Sequence, residues 1–231
     1  MKFNFFSKES PGPEKQEVVG AVRSFKTNRS LEEYERDLQL KESDLDNKRV
    51  LDLGSGPRAR FAKEVEEKYP GTKVVSLDYS FEEPPPEDPR YLLKGDENFS
   101  DRNVDKVVGF ATTLPFADSS FDTIVSSGAI PFYLLQPEQI EKVFKEIIRV
   151  LKVGGKGYFH PVKYTKHIEE SRPGEFVRRE QYGYEETKKM LENIFKKFKK
   201  GIKFEFSPPI TSMDGERVKK EGTLTIIKIS P

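Results

Sequence analysis

A chain of 231 residues, 35% hydrophobic and 12% aromatic, holds material for one substantial core and is read as a single domain. It has no cysteine and two histidines, which excludes a disulfide scaffold, thiolate chemistry and cysteine-ligated zinc, so no metal is expected. Its 40 basic and 39 acidic residues leave a formal charge of +1 and no pull toward nucleic acid, and with no apolar run near the roughly 18 residues of a membrane span a soluble, cytoplasmic protein is expected.

Residues 1–29 form a mixed arm. Its Phe3, Phe5 and Phe6 are read as tacking onto the core, with a flap over a substrate as the other reading. Ser30 followed by Glu33 is a capping box, and the helix it starts carries Leu31, Tyr34, Leu38 and Leu45 on one side. Tyr34 is expected at the edge of the core; approach to a ligand from this helix is the alternative.

Residues 50–53 are a short apolar run holding one acid, Asp52, and read as a buried strand. Gly54, Ser55 and Gly56 then turn the chain sharply, and Phe61, Ala62, Val65 and Tyr69 carry a helical pattern over 60–69. Strand, glycine turn and helix together make a ligand grip. The glycines let the backbone come close, and the helix start offers free N–H groups at the carboxyl end of a strand. Gly54-x-Gly56-x-x-Ala59, with Asp78 after a second apolar run at 73–77, formally fits the dinucleotide fingerprint. Asp52 argues the other way, since an acid beside the turn repels a pyrophosphate and suits a ligand with an amino group.

Pro84, Pro85 and Pro86 forbid a helix in 81–89, so that crossover is expected to be an irregular loop. Strands are predicted at 105–109 and 123–126. Between them Leu114 and Phe116 anchor a loop, Asp118, Ser119 and Ser120 make a polar turn, and Phe121 enters the core. An amphipathic helix over 137–151 ends at Gly154 and Gly155, and a strand runs over 156–161. Residues 163–184 read as an insertion beside the site. The helix predicted over 185–200 is rich in lysine, read as a solvated face with cations favoured near its C-terminus. Segments 203–206 and 223–229 are expected as an antiparallel pair at the sheet edge.

Three motifs now stand together: Leu51-Asp52-Leu53-Gly54-Ser55-Gly56, Leu114-Pro115-Phe116 with Ser120-Phe121-Asp122, and Arg149-Val150-Leu151-Lys152-Val153-Gly154-Gly155. They resemble the class I S-adenosylmethionine-dependent methyltransferases, in the broad methyltransferase-domain branch, and the resemblance covers roughly residues 48–162. It implies an α/β, Rossmann-like fold: a seven-stranded, mostly parallel sheet with helices on both faces and an antiparallel C-terminal hairpin. The single domain of 1–231 then divides into an arm and helix (1–47), a cofactor-binding core (48–162) and an acceptor-side insertion, helix and closing hairpin (163–231).

Carried onto this chain, the resemblance puts Gly54, Ser55 and Gly56 against the methionine part of S-adenosylmethionine and Asp52 on its amino group. Asp78 would accept the ribose hydroxyls and Tyr79 would cover the adenine. Ala111 and Thr112 would offer backbone groups to the adenine edge, with Ser127 as the floor. For catalysis, only Tyr133 and His160 are placed to take a proton. A small molecule is the expected acceptor, with protein or RNA open. Arg58 stands where the family has glycine, Phe110 where it has an acid, and Val153 where it has proline. These departures keep two further readings open: an inactive S-adenosylmethionine- or nucleoside-binding protein, and an NAD-binding Rossmann protein.

Overall fold

The computed structural model describes residues 29–56, 58–78, 104–132, 137–167, 179–198, 201–214 and 217–230. The expectations for the arm at 1–28, for the proline-rich loop, for Tyr79 and for Tyr133 fall outside them.

Helix α1 (Leu31–Leu38) starts where the capping box places it: Ser30 Oγ accepts from Glu33 N–H, and the Glu33 carboxylate accepts from Ser30 N–H. A one-turn helix α2 (Glu42–Leu45) leads into β1 (Arg49–Leu53), α3 (Arg60–Lys68), β2 (Lys73–Leu77) and β3 (Asp105–Val107). Then come β4 (Phe121–Ser127), α4 (Pro137–Val150) and β5 (Leu151–His160). The remaining elements are β6 (Tyr164–His167), β7 (Arg179–Tyr182), α5 (Tyr184–Phe195), β8 (Ile202–Phe206), β9 (Ile210–Asp214), β10 (Arg217–Glu221) and β11 (Leu224–Lys228).

One sheet of seven strands has the order β3-β2-β1-β4-β5-β11-β8. The first five in that order run parallel, while β11 is antiparallel to both of its neighbours. Period-two alternation sends Val50, Val74, Val125 and Tyr158 to the side covered by α1 and α3. Leu51, Val75, Ile124 and Phe159 go to the side covered by α4 and α5. Helices therefore lie on both faces, as expected for a doubly wound fold.

Several boundaries differ from the sequence reading. Helix α4 stops at Val150 and the chain passes directly into β5, so Gly154 and Gly155 lie inside a strand instead of ending a helix. Phe121 pairs with Leu151 but Thr123 with Lys156, which makes residues 152–155 a bulge, and Gly154 supplies its positive φ of +80°. The closing antiparallel pair is present, but only β8 lies at the edge, because β11 inserts between it and β5. Two small antiparallel pairs, β6–β7 between β5 and α5 and β9–β10 between β8 and β11, stand outside the main sheet.

Candidate functional site

Because β1 to β5 run parallel, their carboxyl ends open on one edge of the sheet, and Asp52, the Gly54–Gly56 turn, Asp78, Ser127 and His160 stand at the ends of β1, β2, β4 and β5. Strand β1 leaves through Gly54 and Gly56, at φ of +73° and +74°, a region side chains rarely adopt. Gly54 N–H donates to the Leu77 carbonyl at 2.8 Å, tying the turn to the end of β2. A Cβ on Gly54 would stand 2.3 Å from that of Ala129, so the glycine also admits the loop that follows β4.

Asp52 is wholly buried beside this turn. Its Oδ1 accepts the Tyr34 hydroxyl at 2.9 Å, and its Oδ2 has no partner among the described residues. Burial pushes the carboxyl up to about 7, with the charge of Asp78 adding to the rise and the Tyr34 hydrogen bond and Arg29 opposing it. Tyr34 is not at the core edge: it is 2% exposed and stacks on Phe61 with ring centroids 4.1 Å apart. Burial and the neighbouring carboxylate raise its own pKa.

Asp78 follows β2 and is nearly buried; its Oδ2 accepts the Gly56 N–H at 2.8 Å, which fixes the carboxylate against the glycine turn. Ser55, also buried, donates to the Gly56 carbonyl at 3.2 Å. At the end of β4, Ser127 is paired with His160 of β5, and its buried hydroxyl has no partner among the described residues. His160 Nδ1 lies 3.3 Å from Thr223 Oγ1, whose hydroxyl donates to the Asp37 carbonyl at 2.6 Å. The other ring nitrogen, Nε2, faces Glu221 at 3.8 Å. The His160 imidazole and the Lys163 ammonium hold the Glu221 carboxyl down at about 2, against its burial.

Ala111 and Thr112 lie half-buried in a turn closed by Thr113 N–H donating to the Phe110 carbonyl at 3.1 Å. Phe110 itself is 68% exposed. The loop that follows is clamped by Arg149, which donates to the Leu114 and Phe116 carbonyls and pairs with Asp118, while Glu146 accepts the Leu114 N–H. The third motif is thus the anchor of the second.

Sequence reasoning missed Arg29. Its Nη1 donates to the Ser127 carbonyl at 2.9 Å, and its guanidinium lies over Gly128, where a Cβ would come within 2.6 Å of it. No motif marks it, and its partner is 98 positions away. A shallow cleft lined by Asn47, Lys48, Arg49, Gly71, Lys73 and Asp122 opens at the opposite, amino edge and contains none of these residues. Among the described residues no acidic or histidine group is arranged to hold a metal, and no helix is long and apolar enough to cross a membrane.

Residues 51–159 match the family described as Methyltransferase domain. A demethylmenaquinone methyltransferase of Renibacterium salmoninarum is 31% identical over 135 residues, 54% of this chain and 50% of its own length. The chain spans half or less of the curated relatives it matches. Among solved structures, an S-adenosylmethionine-dependent methyltransferase from Clostridium acetobutylicum has a TM-score of 0.54 at 15% identity, covering 87% of this chain and 93% of that one. A protein of Pyrococcus horikoshii gives 0.50 at 22% identity, over 89% of this chain and 96% of that one. At these identities the structural likeness establishes the fold.

Proposed function

We propose methyl transfer to a small-molecule acceptor for this chain, whose residues 51–159 belong to the class I S-adenosylmethionine-dependent methyltransferases. Asp52 carries the reading. A carboxylate sealed in the protein with an unpartnered oxygen is costly unless a cation completes it, and an amino-acid ammonium does so. Ser127, equally buried at the adjacent strand end and unpartnered among the described residues, fits the same polar ligand. A pyrophosphate beside Asp52 would meet repulsion, which disfavours NAD.

S-adenosylmethionine supplies a methyl group on a positively charged sulfur, already primed to leave. The protein's task is then to hold, align and exclude water, a proximity effect worth several kcal/mol in favourable systems, on the order of 7–11 at best. Gly54, Ser55 and Gly56 border the methionine part, and Asp52 takes its ammonium. Asp78, held in place by Gly56, accepts the ribose hydroxyls, since one carboxylate takes two hydrogen bonds. Ala111 and Thr112 border the adenine edge and Tyr79 its face, with Ser127 as the floor. His160, oriented through Thr223, is positioned to take a proton from an acceptor; Tyr133 is the other candidate.

The curated relative named for demethylmenaquinone supports a small organic acceptor over a protein or RNA. Thermal melting with S-adenosylmethionine, its demethylated product and NAD tests the reading. At a hundredfold excess over Kd a native-state ligand adds about 2.7 kcal/mol, so the first two should raise the midpoint and NAD should not. A rise with NAD alone would overturn it.

A further inference from the structure

We propose that two copies of this chain pair edge to edge through strand β8, about a two-fold axis at Phe204. The edge is open: among the described residues β8 is hydrogen-bonded to β11 alone, on one side. The ladder fixes which backbone groups point outward. Ser207 N–H donates to the Thr223 carbonyl and Ile229 N–H to the Gly201 carbonyl, so residues 201, 203, 205 and 207 turn their N–H and C=O groups toward β11. Ile202, Phe204 and Phe206 therefore turn theirs outward, as a template for another strand. Pro208 and Pro209, which have no N–H to donate, end that template.

The side chains say what fits it. Lys203 and Glu205 are exposed on one face of the strand, and among the described residues neither makes an ion pair. An antiparallel copy placed about Phe204 sets Lys203 of each chain opposite Glu205 of the other, at the non-hydrogen-bonded positions where side chains come closest. The two-fold makes that contact twice, as an isologous interface requires. An axis at Lys203 would set lysine on lysine, an axis at Glu205 would set glutamate on glutamate, and a parallel copy in register would do both. The charge pattern thus selects one orientation and one register. On the other face Phe204 is 37% exposed although its ring packs on Phe195 of α5 with centroids 5.0 Å apart. Phe206 follows at 6.0 Å, half-buried beneath the Lys188 ammonium. These rings form an apolar row that stops at the edge, and a second copy continues it across the axis.

The competing account makes Lys203 and Glu205 a guard, since charges on an edge strand commonly keep it from pairing. Sedimentation equilibrium on the full chain separates the two, with wild type, Lys203→Glu, Glu205→Lys and the double exchange. Both side chains are exposed, so the variants should fold as the wild type does. Wild type should dimerise with a Kd in the micromolar range. Each single exchange turns two attractions into two repulsions and should weaken the dimer about tenfold. The double exchange restores opposite charges across the axis and should return Kd to within about threefold of wild type. A wild type that stays monomeric at submillimolar concentration would overturn the proposal, whether the charges guard the edge or another segment of the chain covers it. So would single exchanges that leave a dimer as tight as before, or a double exchange no tighter than the singles.

Discussion

Under α4 and α5 the sheet meets rings. Phe144 lies edge-on to Phe159 at 5.2 Å and to Phe195 at 5.0 Å, with Leu51, Ile124 and Ile147 filling the space around them. On the other face of the same strands, under α1 to α3, polar groups are threaded among the apolar ones. Asp52 bonds Tyr34, Thr123 donates to the Asp44 carbonyl at 2.6 Å, and Asp44, only 4% exposed, pairs with Lys156 at 2.8 Å. Ser76 is buried there, its hydroxyl without a partner among the described residues. Dispersion and burial are non-directional, so the first face tolerates exchange of similar volumes. Buried hydrogen bonds fix directions, so the second face positions atoms and is costly when half-satisfied. The candidate site lies along the second face, where direction is needed.

The sharpest way to break the contrast is Phe144→Ala. Truncating a buried ring costs about 3–5 kcal/mol, read as a lower midpoint in denaturant, and the loss should not vary between pH 5 and 8. A strongly pH-dependent loss would mean that the ring face is coupled to the polar one.

Next in size is Asp78→Ala, read as cofactor affinity. Each charge-assisted bond lost is worth on the order of 1.5–3 kcal/mol, whereas Tyr133→Phe should leave S-adenosylmethionine binding unchanged. Equal effects would show that the ribose site is misplaced.

Tyr34→Phe is smaller and should depend on pH. Asp52 has an ordinary carboxyl value of 3.8 when unfolded and about 7 when folded. Between these values the folded chain holds a proton that the unfolded chain has released, so this group's contribution to stability falls as pH rises from about 4 to 7 and then levels. Asp52→Asn should remove that fall from the stability profile. Tyr34→Phe should cost about 1.5–3 kcal/mol at pH 8, where its partner is a carboxylate, and about 0.5–1.5 at pH 5, where it is a neutral acid. A loss independent of pH would separate Tyr34 from the Asp52 carboxylate. The smallest effect is Ser30→Ala, which removes the cap of α1 and should cost about 1 kcal/mol in the denaturation midpoint; a null result would mean that the Leu31 N–H bond to Glu64 holds the helix start alone.

What was legible in the sequence was local. Strand β2 lies at the predicted positions because its short apolar run is bounded by Pro70-Gly71 on one side and Asp78 on the other. The turn at Gly54 was readable because its glycines are needed by the turn itself. The Asp52 contact with Tyr34 spans 18 positions, that of Arg29 with Ser127 98, and that of Thr223 with Asp37 186, and no periodicity reports a pairing made by folding. The hairpin strands of β9 and β10 were missed for another reason. Lys219, Lys220 and Glu221 show no apolar alternation, since a small hairpin outside the core is specified by backbone pairing. The start of β5 was misplaced because Gly154 and Gly155 look like a helix stop. The junction is in fact held by Lys228, whose ammonium donates to the carbonyls of Arg149 and Leu151 from the neighbouring strand β11.

The insertion of β11 between β5 and β8 sets an order of events during synthesis. Ile202 to Phe206 emerge from the ribosome well before Leu224 to Lys228, yet in the main sheet β8 is hydrogen-bonded to β11 alone. Until β11 is made, β5 is an open edge and β8 has no place in the sheet. Both ladders therefore wait on a segment that follows a whole intervening hairpin. One short segment closes two ladders together, and a released chain cut before residue 224 would leave both β5 and β8 exposed to a neighbouring chain.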